Sequence, residues 1–250
     1  MQPAEHAAPA PNILAEWRRV GAFLKWPTLD VSAQDGAPLR VLLRIYALDL
    51  VMMLGLIIIA SIVVAAGVEL PRTALAEMEI DWGLAALVII GAPLLEELIF
   101  RSWLSGRAGW LVAVFIMGVA GVGALIWGAS YTGEAAAAGV GLSFVIGALC
   151  AVIALIVLRK RATPRWFATI FPGAFWLSTI AFALVHVFNF DDVSILVVLP
   201  LVIPQFVLGA LLGYLRVRIG LWAAIGLHMM HNATALGIAS LAMLMPETAG

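Results

Sequence analysis

Polar residues in this chain are gathered into short segments that separate long apolar runs. Seven runs approach or exceed the 20 or so residues a helix needs to cross a bilayer. They lie at 41–67, 82–104, 110–130, 136–158, 172–190, 193–215 and 219–244. Their short connections predict antiparallel neighbours. Ahead of them, Ile13, Trp17, Val20 and Leu24 recur at helical spacing, with Arg18, Arg19 and Lys25 elsewhere around the wheel. That pattern suits an amphipathic helix lying in the headgroup region, or alternatively one docked on a protein partner. Residues 1–12 are rich in Ala and Pro and are expected to be disordered, and 27–39 read as a linker. The predicted fold is an all-α polytopic membrane bundle of about seven transmembrane helices plus an N-terminal interfacial helix. Residues 1–40 form a cytoplasmic tail, helix and linker, and 41–245 the transmembrane unit. Two local features complete the picture. Arg165–Phe171 reads as an interfacial segment, with Pro172 opening the next helix in its first turn. Gly209 and Gly213 form a small-xxx-small pair that permits close helix packing.

Composition makes the membrane assignment firm. The 250 residues are 64% hydrophobic and 12% charged, against roughly 45–50% and 25% in soluble domains. A net charge of −1 argues against a nucleic-acid partner, which wants a basic face. The single cysteine, Cys150, has no second thiol to pair with and sits in an apolar run, so it reads as a packing residue. No apolar signal-peptide core lies near the start, so the first span is expected to direct insertion.

Charge also predicts orientation. Arg18, Arg19, Lys25, Arg40 and Arg44 precede or edge the first run. Arg101 and Arg107, then Arg159, Lys160, Arg161 and Arg165, then Arg216 and Arg218 follow alternate runs. The intervening loops carry Glu69, Glu77, Glu79, Asp81, Glu134, Asp191 and Asp192, with Arg72 alone against the trend. The positive-inside rule places the N-terminus in the cytoplasm and the C-terminus outside.

Within these runs sit a few residues capable of chemistry. Glu96 and Glu97 lie together in the second, behind Pro93 and ahead of Arg101. A charge at the bilayer centre costs about 2.5–3.5 kcal/mol on insertion scales, so such a pair demands a reason. On a helix the two point about 100° apart, while Glu97 and Arg101, four residues apart, share a face. Arg101 is expected to hold Glu97 ionised, leaving Glu96 to face another helix as a general base. Pro93 removes a backbone donor and is expected to kink the span there. The bland alternative for the pair is a structural ion cluster or part of an ion pathway. His186 lies in the fifth run, where a lone histidine often only bonds a neighbouring helix. His228 and Asn232 share a face of the seventh, with His231 three residues from His228, and can donate to a developing oxyanion. The stretch HMMHN is not the HExxH zinc pattern. Counting from the cytoplasmic ends puts Glu96 and His228 at similar depth, roughly 12–14 Å, and His186 at roughly 20 Å.

Glu96-Glu97-Leu-Ile-Phe-Arg101, Phe182-Ala-Leu-Val-His186 and His228-Met-Met-His-Asn232, in this order and each in an apolar run, resemble the EExxxR, FxxxH and HxxxN motifs of one family. It is the CAAX-prenyl-protease and bacteriocin-processing (CPBP, or abortive-infection) group of intramembrane peptidases. The resemblance covers about 82–241. It implies a glutamate-dependent peptidase in which Glu96 and His186 activate water, His228 and Asn232 stabilise the oxyanion, and Glu97 and Arg101 orient the site. Members are often labelled metalloproteases. The arrangement here favours metal-free hydrolysis, and were a zinc ion bound, Glu96, His186 and His228 would be its ligands. The implied partners are the lipid bilayer and a peptide or membrane-protein substrate. Competing readings are a non-catalytic immunity or scaffold protein of the same family, and a proton- or ion-coupled transporter. The transporter reading would want an internal duplication or paired broken helices, which the sequence does not announce.

Overall fold

A computed structural model of the chain describes residues 12–29, 37–71, 73, 78–190 and 193–244. The expected disordered tail (apart from Asn12), most of the 27–39 linker, and the loop charges Arg72, Glu77, Asp191 and Asp192 lie outside the described residues. Among the described residues the secondary structure is helical throughout, with no strand. The elements are α1 (Ile13–Lys25), α2 (Pro38–Ala65), α3 (Trp82–Ala86), α4 (Ala92–Phe100), α5 (Ala108–Ser130), α6 (Gly133–Val157), α7 (Arg165–Val185), α8 (Ile195–Leu201), α9 (Ile203–Arg218) and α10 (Leu221–Leu244). A π-helical turn, Leu87–Gly91, fuses α3 to α4, and 3₁₀ turns follow α4 and α7.

Five helical segments are long and apolar enough to cross a membrane, Trp82–Phe100 being one of them, or six if α8 and α9 count as one bent span. This is an all-α polytopic membrane bundle. The count falls short of seven at two places. The sixth run, expected as one helix, is bent by 46° between α8 and α9. Pro200 lies inside α8 and Pro204 opens α9. Pro204 has no N–H for the carbonyl four residues back, and its ring crowds that carbonyl, so a straight helix cannot pass. The seventh run forms the 24-residue α10, whose His228, His231 and Asn232 dilute its apolar character. A third difference concerns Pro172. It does not open a helix but lies inside α7, which starts at Arg165 behind Pro164. Membrane helices tolerate an internal proline because neighbours satisfy the freed carbonyl.

Helix α9 is the centre of the fold, with every residue from Leu208 to Leu215 buried. Around it α1, α2, α7 and α10 contribute Val20, Ile45, Phe182 and Leu227 to one apolar cluster. The amphipathic α1 starts on Asn12, whose side chain accepts the Ala15 N–H at 2.8 Å. Its inner face rests on the bundle itself: Val20 is buried, Phe23 packs edge-on against Phe175 and Tyr214, and Tyr214 donates to the buried Glu16 at 2.7 Å. The hairpin α5–α6 packs chiefly on itself.

Close approach of α7 to α9 depends on two glycines. A Cβ on Gly213 would sit 2.6 Å from the Phe175 ring, and one on Gly209 would sit 3.0 Å from both Arg101 Nη2 and Phe182. Overpacking of this kind costs about 1–3 kcal/mol. Gly213→Leu should therefore lower the melting temperature in detergent by several degrees. Gly118→Leu, on open space, should not, and equal melting of both variants would contradict this packing.

Candidate active site

The site is built on an irregularity in the second span. Asp81 caps α3 by accepting the Leu84 N–H at 2.7 Å. Directly after α3 the helix widens into the π-turn, and the Ala92 N–H bonds Leu87 O instead of Val88 O. In that register the carbonyl of Val88 would look to residue 93, which is proline and has no N–H. Val88 O is thus left without a backbone donor, and Asn232 supplies one: its Nδ2 donates to Val88 O at 2.8 Å. Pro93, the π-turn and Asn232 are three parts of one arrangement that joins α10 to the carboxylate helix. The kink expected at Pro93 takes this form.

One turn on, Glu97 and Arg101 are both fully buried, and Arg101 Nη1 donates to Glu97 Oε1 at 2.9 Å. The same oxygen accepts from His228 Nδ1 at 3.0 Å. Glu97 therefore pairs with Arg101 at the end of its own helix and ties that helix to α10 through His228. Arg101 also stacks on Phe182, its guanidinium carbon 3.8 Å from the ring centre, a cation–π contact strengthened by the absence of water. The Phe182 ring meets His228 edge-on at 5.6 Å and His186 at 4.8 Å. This explains why phenylalanine stands four residues before His186: its ring touches three polar members of the site. The end of α4 is closed by other side chains. Arg216 donates to Arg101 O at 2.7 Å and to Ser102 O at 2.6 Å, and Ser178 donates to Phe100 O. Arg101 O and Ser102 O, which also accept from Leu104 N–H and Ser105 Oγ, are thereby held against α9, and Phe100 O against α7.

Glu96 has a different environment. Its side chain retains 26% of its accessible surface, and Oε2 stands 3.7 Å from His228 Nε2. That separation exceeds a hydrogen bond, and Glu96 Oε2 has no protein partner. His186 Nδ1 donates to Phe182 O at 2.7 Å, and because a carbonyl can only accept, Nε2 is the ring atom left open. Electrostatic interactions connect His186 to Glu96, His228 and Arg101. The depth mismatch expected for His186 does not separate it from the rest, since α7 runs past Arg101 and carries His186 one turn beyond Phe182.

All six residues singled out from sequence, Glu96, Glu97, Arg101, His186, His228 and Asn232, thus fall in one region. Their linkage differs from the expected pairing: Glu97 bonds His228 as well as Arg101, and Asn232 bonds a backbone carbonyl. Sequence reasoning missed Asp49. It is buried in α2 and accepts from His231 Nδ1 through both carboxylate oxygens, at 2.9 and 3.1 Å, fixing α10 against α2 three residues on from His228. Its signal was available, as a lone carboxylate within the first apolar run. Among the described residues no three His, Cys, Asp or Glu side chains converge as a metal-holding group, and Glu96, His186 and His228 do not form one.

The fold and this constellation define a class: a polytopic helical membrane protein with two adjacent carboxylates and two histidines gathered among its helices. The particular family follows from comparison. The model of the Rce1-like type II CAAX prenyl endopeptidases matches residues 79–234, and the chain belongs to that family. The match is to a kind of intramembrane protease and contains all six residues. No curated protein and no solved structure matches the chain.

Two outcomes follow for stability. Removing one partner of a buried ion pair costs about 3–5 kcal/mol, so Arg101→Ala should sharply reduce the folded yield in detergent. An unchanged melting curve would refute the pairing. Asn232→Ala leaves Val88 O unsatisfied, at a cost of about 1–3 kcal/mol, and should speed amide exchange across residues 87–93. Unaltered exchange there would show that Asn232 does not hold the turn.

Proposed function

We propose that this chain is an intramembrane endopeptidase that hydrolyses a peptide bond of a membrane-associated protein or peptide. The observation that carries the proposal is the unequal treatment of two adjacent carboxylates. Glu97 Oε1 is shared by Arg101 and His228 in a fully buried side chain, whereas Glu96 keeps 26% of its side-chain surface and its Oε2 has no hydrogen-bond partner. A free carboxylate beside an open imidazole nitrogen is the arrangement that deprotonates water.

In the proposed reaction Glu96 takes a proton from water, which His186 orients through Nε2. The water oxygen bonds to the peptide carbonyl carbon, and its π electrons move to oxygen. His228, held through Nδ1 by Glu97, turns Nε2 to that oxyanion, together with the second amide hydrogen of Asn232. Collapse breaks the C–N bond, and the leaving amine takes the proton from Glu96. Glu97 bonds His228 directly, Arg101 acts through Glu97 and Phe182, and both are positioning residues. The basic helix ends around Arg107, Arg165 and Arg216 would face the cytoplasm, with the N-terminus there and the C-terminus outside.

New protein termini in membranes from cells carrying wild type, Glu96→Gln or His186→Ala test this reading. Loss of a general base lowers rates by about 10²–10⁴-fold, so termini made by the wild type should disappear in both variants at equal expression. Retained cleavage in either would overturn the assigned roles. Indistinguishable termini with the biological effect intact would favour the immunity or scaffold reading.

A further inference from the structure

At the basic end of the bundle a cavity of about 620 Å³ opens, with Arg107, Arg165 and Arg216 in its wall and no Asp or Glu among the described residues lining it. The three arginines arrive from different elements: Arg107 from the turn before α5, Arg165 from the first turn of α7 and Arg216 from the last turn of α9. Their convergence is therefore a product of the fold and not of one basic stretch of sequence. The most basic stretch, Arg159-Lys160-Arg161, does not line the cavity. Arg216 is partly desolvated and is subject to repulsion from Arg107, and an anion placed between them relieves it. The remaining wall includes Leu29, Leu104 and Leu221, apolar surface of the kind found beside a headgroup. The volume far exceeds that of one water, whose share of liquid is about 30 Å³.

We propose that this cavity is a binding site for a phosphate anion, carried by an anionic phospholipid headgroup or free in solution. Arginine guanidinium groups match phosphate oxygens in pairs, and the cavity lies at the starts of α5 and α7, where Arg107, Trp110, Pro164 and Arg165 line it. Arg216 gives the site a consequence. The side chain that lines the cavity also holds Arg101 O and Ser102 O, so an occupant would brace the end of the carboxylate helix.

The test is the melting temperature of the full chain in phosphatidylcholine vesicles, with and without phosphatidylglycerol, and separately with inorganic phosphate against chloride at equal ionic strength. Binding to the folded state raises melting. We expect a rise of several degrees for the wild type, lost in Arg107→Gln/Arg165→Gln and kept in Arg159→Gln/Arg161→Gln, which removes equal charge outside the cavity. Should the first double variant fold poorly, Arg165→Gln alone serves. A rise with phosphatidylglycerol only identifies the headgroup, and one with inorganic phosphate identifies the free anion. No rise in either arm, or the same rise in both double variants, overturns the proposal.

Discussion

The structure turns on a buried guanidinium. Arg101 is fully enclosed at the end of a helix that crosses the membrane, where an unpaired charge would be intolerable. Its needs dictate its surroundings. Glu97 supplies the counter-charge, Phe182 a π face, and Gly209 the space beside Nη2. Glu97 in turn reaches across to His228. A single charge thereby fixes α4, α7, α9 and α10 relative to one another, and the three polar motifs are the contact points of those helices.

Helical geometry then divides the labour between the glutamates. Adjacent residues point about 100° apart, so one cannot be enclosed with Arg101 without turning the other away. Glu97 is spent on architecture and Glu96 is left partly exposed, 3.7 Å from a histidine whose other nitrogen is already committed. The π-turn and Pro93 add a second constraint from below, because the carbonyl they strand is taken by Asn232. His228 and Asn232 are thus each bonded to the carboxylate span, at Glu97 and at Val88. A proposed oxyanion pocket gains preorganisation from these bonds before any substrate arrives.

Much of this could be read from the chain because rare polar residues in apolar runs are conspicuous. The i, i+4 spacing of Glu97 and Arg101 announced their pair, and the bundle's class followed from the runs themselves. Other features were hidden for physical reasons. Helical spacing says which residues share a face but not which helix that face meets, so the His228–Glu97 bond and the Asp49–His231 bond were invisible. The apolar stripe of α1 was legible, but its packing on Phe175 and Tyr214 of the same chain was not. Pro172 misled because proline favours helix starts in water, whereas within a bundle α7 accommodates it. Pro200 and Pro204 did break their helix, and only their four-residue spacing hinted at it.

Glu97 maintains structure, and the proposed mechanism requires that Glu96 be free for chemistry. The most direct measurement is the melting temperature of Glu97→Gln and Glu96→Gln beside wild type in one detergent. Glu97→Gln should melt clearly lower, since Arg101 and His228 lose their common anion, and Glu96→Gln should be unchanged or higher. Equal losses in the two variants would contradict the division on which the proposed mechanism stands.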